Sequence, residues 1–209
     1  MYLVVRSDRV VAPQEVYTAA ARATMDCVAR HYDRDPWHDA FRQWSEQSFR
    51  KVTLRARGSA WARLAGYDHG SDRLGDEALV RVLPPRRKSA SDPLLRNLQV
   101  YNPDRATLPP DVWLDVPPDA MCFAVNPTIA MSIGKTAAQI AHAVLMCAWS
   151  PRTDTQARAR WTAAGYPCAI VSGEAWTRLR TLPGAVVVRD AGLTEVAPGT
   201  ETVVAVFPV

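Results

Sequence analysis

The chain has 209 residues, of which 48% are hydrophobic and 22% charged, with a formal net charge of +4 and a sequence pI near 9.0. That length holds one large domain or two small ones, either with a real core, and the composition is that of an ordinary globular protein. The basic balance admits an anionic partner such as RNA without requiring one, and the longest apolar stretch, Ala137 to Trp149, is too short to span a bilayer.

Met1 leads straight into a β-like run, Tyr2 to Arg6, with no charged leader and no cleavage-like segment, so no signal peptide and a cytoplasmic location are expected. A helix follows around Pro13 to Arg30, then a strand at Val52 to Ala56, a helix at Ser59 to Leu64, and strands at Leu79 to Leu83 and Leu98 to Tyr101. Tyr101 to Asp119 is rich in Pro and Asp and has no periodicity. It reads as an extended linker, since each Pro fixes its own φ and disfavours helix in the residue before it. Beyond it, Met121 opens a short buried strand. From about Gly134 to Trp149, Ala137, Ile140, Ala141, Val144, Leu145 and Ala148 recur at the spacing of one buried helix face, with Lys135, Gln139 and His142 on a second face. After a further helix come strands at Pro167 to Ser172, Ala185 to Arg189 and Thr202 to Phe207, with a helix from Gly173 to Leu182 between the first two. Strands alternating with helices predict an α/β sandwich with mixed sheets. The cysteines, Cys27, Cys122, Cys147 and Cys168, form no C-x-x-C and have no His at metal spacing. They read as reduced core thiols, and neither a metal nor a cofactor is expected.

The chain also matches itself. Shifted by 120 places, Met1 falls on Met121, Val5 on Val125, Ala21 on Ala141, Ala23 on Ala143 and Cys27 on Cys147. After small deletions Trp44 falls on Trp161, and GSAWARL (Gly58 to Leu64) lies on GEAWTRL (Gly173 to Leu179). Ala-rich matches alone arise whenever two α/β segments share helix composition; the paired tryptophans and the second heptapeptide argue for two copies of one fold. The expected units are 1–101, a linker over 102–119, and 120–209, packed as a pseudo-dimer in a monomeric chain.

Two segments carry chemistry. MSIGKTAAQIAH, Met131 to His142, sets Lys135 at the start of a helix, where free backbone N–H groups already favour negative charge. DAGLTEVAPGTET, Asp190 to Thr202, follows an apolar strand and holds Gly192 and Gly199, which permit tight turns. Gly134 to Thr136 spells the GKT of a phosphate-binding loop, but the Gly required five positions earlier is Ile129, which argues against an ATPase. Taken one at a time, a Lys at a helix start is usually solvated and an Asp-Ala-Gly after a strand is usually a turn.

Together, in this order and spacing, the two segments resemble the paired active-site motifs of the type II peptidyl-tRNA hydrolases. The resemblance runs from Met121 to Val209 and includes Trp161 and Gly165 between the motifs. It implies hydrolysis of the ester of peptidyl-tRNA or of an N-blocked aminoacyl-tRNA, with tRNA as partner. Lys135, Asp190, Thr194 and Thr202 would be catalytic, and Gly134, Gln139, His142 and Thr200 would contact substrate. The reaction needs a positioned water, a proton acceptor and donors for the developing oxyanion.

The first copy departs from the motifs: Glu15 stands opposite Lys135, Ala19 opposite Gln139 and Arg22 opposite His142, so this half reads as catalytically dead. It keeps Val4 to Asp8, VVRSD, which looks like the strand end of active family members, where the second copy has VNPT, Val125 to Thr128. Leu193 also replaces a residue that is often basic in the family. These departures leave open an aminoacyl-tRNA-dependent transferase, with an amine in place of water, and a non-catalytic RNA-binding module. Arg86, Arg87 and Lys88 are candidates for phosphate contacts, with a solvated loop as the plainer alternative.

Overall fold

A computed structural model describes residues 1–47, 49–73, 77–87, 92–103, 116–171 and 173–207; most of the anticipated linker, with Lys88 and Ser172, lies outside the described residues. The chain forms two α/β units, each with its own mixed sheet. The first runs β1 (Tyr2–Arg6), α1 (Pro13–His31), α2 (His38–Gln47), β2 (Val52–Ala56), α3 (Gly58–Arg63), β3 (Gly70–Ser71), β4 (Val80–Leu83), α4 (Pro93–Asn97) and β5 (Gln99–Val100). The second runs β6 (Met121–Val125), α5 (Ile133–Trp149), α6 (Thr155–Ala163), β7 (Cys168–Val171), α7 (Ala175–Leu179), β8 (Val186–Arg189) and β9 (Glu201–Val206). Among the described residues no helix is long and apolar enough to cross a membrane.

The central strands, β1 and β6, are apolar on both faces because both faces are covered, which is why they read as continuous hydrophobic runs. β1 lies parallel to β2 and antiparallel to β4, as β6 lies parallel to β7 and antiparallel to β9. Read across the sheets, β2-β1-β4-β3 repeats as β7-β6-β9-β8. The likeness extends to hydrogen bonds. Trp44 Nε1 donates to the Arg50 carbonyl at 2.8 Å and Trp161 Nε1 to the Pro167 carbonyl at 2.9 Å. The Phe49 amide donates to the Trp44 carbonyl and the Tyr166 amide to the Trp161 carbonyl, with φ of 53° and 61° at these two aromatic residues. Each tryptophan thus pins the same left-handed turn into the strand that follows it.

The first half needs one correction. If the first copy followed the element order of the second, Leu79 to Leu83 and Leu98 to Tyr101 would match β8 and β9; instead β4 takes the place of β9, the two-residue β3 fills the slot of β8, and the Leu98 to Tyr101 region supplies β5, an added edge beyond β2. Two residues carry no periodicity, so β3 leaves no mark on the sequence.

The units meet through α1 and α5, whose alanines, among them Ala20, Ala23, Ala137 and Ala141, let one core run through both halves. Each helix also crosses to the other unit's sheet, α1 against β7 and α5 against β2. α5 is therefore buried around most of its girth, including Thr136 and Gln139, rather than along one face. At its first turn the Thr53 hydroxyl donates to the Gly134 carbonyl at 2.9 Å. A Cβ on Gly134 would sit 1.7 Å from the Tyr101 carbonyl oxygen, so only glycine lets α5 come this close to the first unit.

Candidate active site

The site forms where the start of α5 faces the loop between β8 and β9. Ser132 caps α5: its hydroxyl accepts the Lys135 amide at 3.1 Å, and Glu195 in turn accepts the Ser132 amide and hydroxyl at 2.6 and 2.7 Å. This ties the loop to the helix end. A bulge between Val188 and Arg189 turns the chain just before Asp190. The loop closes at its base, where the Asp190 amide donates to the Thr200 carbonyl and the Gly199 amide to the Asp190 carbonyl.

Lys135 Nζ lies 2.6 Å from Asp190 Oδ2 and donates also to Thr194 Oγ1 at 2.8 Å. Gln139 Nε2 donates to the same Asp190 oxygen at 2.6 Å, since an ionised carboxylate only accepts, and this turns Gln139 Oε1 to the Thr202 hydroxyl, which donates to it at 2.9 Å. The Gly192 amide donates to Asp190 Oδ1 at 2.8 Å. Gly192 has φ of 76°, and a Cβ there would meet Pro198 at 2.4 Å. Burial by itself pushes the Asp190 carboxyl up, but hydrogen bonds from Lys135, Gly192 and Gln139 outweigh it and hold the group below the usual carboxylate range. The result is a fixed ion pair with donors to spare, at the edge of a cavity of about 730 Å³.

Much of that cavity belongs to the first unit: Phe49, Lys51, Val52, Val100 and Tyr101 line it beside Ala138, His142, Met146 and Leu193. Lys51 Nζ lies 3.2 Å from His142 Nδ1 and sits over the rings of Phe49 and Trp44 at 3.9 and 4.7 Å. Burial, reinforced by the amines of Lys51 and Lys135, holds His142 well below its ordinary value. Burial likewise pushes the Lys51 amine well down. The two groups share this one hydrogen bond, and which of them donates follows from the imidazole tautomer.

Of the residues expected to act, the structure brings together Lys135, Asp190, Thr194 and Gln139 at the cavity, with His142 on its wall. Thr202 is fully buried, outside the cavity lining, with its hydroxyl on Gln139 and within reach of the Val188 carbonyl. Thr200 turns its hydroxyl to the Ala197 carbonyl and stands outside the cavity lining, whereas Gly134 lines the cavity and also makes the close contact with Tyr101. Arg86 lies over Trp37 and Tyr67, and Arg87 donates to Gln43. At the corresponding end of the first unit Glu15 accepts the Ala12 amide as part of a helix cap, and Asp72 accepts the amides of Leu79 and Val80. Arg6 and Asp8 pair with each other at 2.8 Å; in the second unit Asn126 instead closes a turn by accepting from Thr128. Ser132, Glu195 and Lys51 were not foreseen. Ser132 carries an N-cap signature, while nothing local marks the other two.

The four cysteines are buried, and burial raises their thiols, Cys27 and Cys168 to about 12 and Cys122 and Cys147 to about 11. No cluster of three or more His, Cys, Asp or Glu side chains suited to a metal occurs among the described residues.

A fold of two mixed α/β units with a lysine–aspartate pair at a helix start defines a class, and comparison with known proteins identifies it. The family model described as "Peptidyl-tRNA hydrolase PTH2" matches residues 1–61 and 120–209, so the chain belongs to that family. A relative from Pyrobaculum aerophilum, named peptidyl-tRNA hydrolase, is 33% identical over 100 residues, covering 42% of this chain and 82% of its own length. No solved structure matches.

Proposed function

We propose that the second unit hydrolyses the ester of peptidyl-tRNA or of an N-blocked aminoacyl-tRNA, with Lys135 and Asp190 at the reacting atoms. The observation that carries this reading is their ion pair of 2.6 Å, formed across 55 positions of sequence at the mouth of a substrate-sized cavity. Lys135 spends two N–H groups on Asp190 and Thr194, which leaves one for the ester carbonyl oxygen. Thr194 accepts from Lys135, so its own hydrogen is free to donate to the same oxygen. Both donors are set before the negative charge develops. Asp190 Oδ1 holds a lone pair beyond the one facing Gly192 and orients the water. The water oxygen bonds to the acyl carbon, the bond to the ribose oxygen breaks, and the proton released by water passes by way of Asp190 to the ribose oxygen. Gln139 and Thr202 are positioning residues that hold the carboxylate.

The units of this reading are 1–101, 102–119 and 120–209. The repeated strand order and the repeated tryptophan turn support descent from a duplication, with the first copy retired from chemistry because Glu15 and Ala19 replace Lys135 and Gln139. The chain would act as a monomeric pseudo-dimer in the cytoplasm, where translation supplies the substrate. The test is incubation of purified protein with N-acetyl-aminoacyl-tRNA, with and without an added amine. Ester loss in water alone is expected. Turnover only with amine would make the protein a transferase, and tRNA binding without turnover would make it an RNA-binding module.

A further inference from the structure

The cavity has two unlike sides. One is the charged edge of Lys135, Asp190 and Thr194; the other carries a set of exposed aliphatic side chains among polar and aromatic ones such as Arg50, Lys51 and Tyr101. Val52, Val100, Met146 and Leu193 are 42%, 63%, 38% and 65% exposed, and they make up four of the six large apolar side chains left exposed among the described residues. Single exposed apolar residues are ordinary, but a set converging on one cavity beside a reacting pair marks a binding surface. Val52 and Val100 come from β2 and β5 of the first unit, and β5 has no counterpart in the second sheet.

We propose that this wall, half of it supplied by the first unit, is a pocket for the side chain of the ester-linked residue of the acyl group. The enzyme then prefers peptidyl and N-blocked aminoacyl esters ending in a bulky apolar residue. The inference rests on the hydrolase reading above and names its substrate class.

Two groups flank the ester carbon, and chemistry separates them. The tRNA side is a polyanion: valine and leucine side chains offer phosphate nothing in return for its lost water, whereas the exposed Arg50 and Arg189, which also line the cavity, offer it charge at the solvent side. It therefore runs outward to solvent. The terminal adenine is the remaining rival on that side, but it requires a free aromatic face. Phe49 is already enclosed by Trp44, His142 and Trp149 at centroid distances of 4.5, 5.5 and 5.7 Å, with the Lys51 amine against it. Tyr101, half-buried, also lines the cavity, so the choice rests on Val52, Val100, Met146 and Leu193, whose aliphatic surface fits an apolar side chain that gains by leaving water in proportion to its area. The first copy, having lost its own chemistry, is kept as half of its partner's pocket.

The full-length protein is assayed on N-acetyl-leucyl-tRNA and N-acetyl-glycyl-tRNA, wild type beside Val52→Glu and Val100→Glu. The leucyl-to-glycyl ratio of kcat/KM is expected to be roughly tenfold to a hundredfold in the wild type and to fall toward one in either variant. Val52→Thr, which keeps strand propensity, replaces the glutamate at that position if the latter fails to fold. A ratio near one in the wild type, or an unchanged ratio in folded variants, overturns the pocket while leaving the hydrolase standing. If no ester is cleaved, the hydrolase reading fails, and binding still decides the pocket. N-acetyl-leucinamide shifting the NMR signals of the Val52 and Val100 methyl groups more than N-acetyl-glycinamide supports it. Equal shifts, or adenosine monophosphate occupying those methyls instead, contradict it.

Discussion

Three donors converge on the Asp190 carboxylate, from Lys135, Gln139 and Gly192. Its folded carboxyl is held below the ordinary value, so the stability it contributes is present above the unfolded carboxyl range of about 4 and is lost as pH falls through the folded value. Lys135→Met removes the ammonium that offsets burial, so the Asp190 carboxyl should then titrate higher and the acid edge of stability should move up in pH. Urea melts across pH 3 to 6 would show it as a shift in midpoint, and overlapping curves for the two proteins would contradict it. Thr202 acts at one remove. Thr202→Val leaves the buried Gln139 carbonyl without its donor, at a cost of about 1–3 kcal/mol, and frees the amide to leave Asp190. We expect kcat to fall roughly tenfold to a hundredfold with KM little changed, as befits lost positioning. An effect confined to KM would mean that Thr202 touches substrate. Lys135, Asp190 and Gln139 were legible because order and spacing tie two motifs to one family pattern. Lys51 was not, because its role depends on the other unit's helix and no local pattern encodes that meeting.

At the scale of elements, α5 joins the fold to the site. Its first turn bears Lys135 and also meets the first unit at Gly134, where the Tyr101 carbonyl leaves no room for a methyl group. Gly134→Ala should destabilise the protein by about 1–3 kcal/mol or more through that clash, despite alanine's better helix propensity. Thermal melts would register a lower Tm; a rise would show that the units can part there without loss. The strands β1, β2, β4, β6, β7, β8 and β9 were readable from apolar runs and the helices α1, α3, α5, α6 and α7 were anticipated, whereas α2 and α4 were not. β3 was not, because pairing with β4 rather than any residue pattern makes it a strand. The breadth of burial on α5 also escaped a periodicity reading, since small alanines look the same whether they face a core or a second helix.

At the scale of the molecule, two units share one core through α1 and α5, and the second unit's cavity is walled by the first. If the two units are the fused pair proposed above, each holds the other at high effective concentration, and sedimentation equilibrium should find a single-chain species whose mass does not rise with concentration. A concentration-dependent dimer would mean that further surface of the fold seeks a partner. The repeat was visible in the tryptophans and the GSAWARL and GEAWTRL segments, while the reciprocal crossing of each helix onto the other sheet emerged only from packing. All of this converges on one pair of side chains. The most direct measurement is the rate of ester loss from N-acetyl-aminoacyl-tRNA for the wild type, Lys135→Ala and Asp190→Asn at matched folding. The account predicts a fall of roughly two orders of magnitude or more in each variant; rates equal to wild type in both folded variants would contradict it.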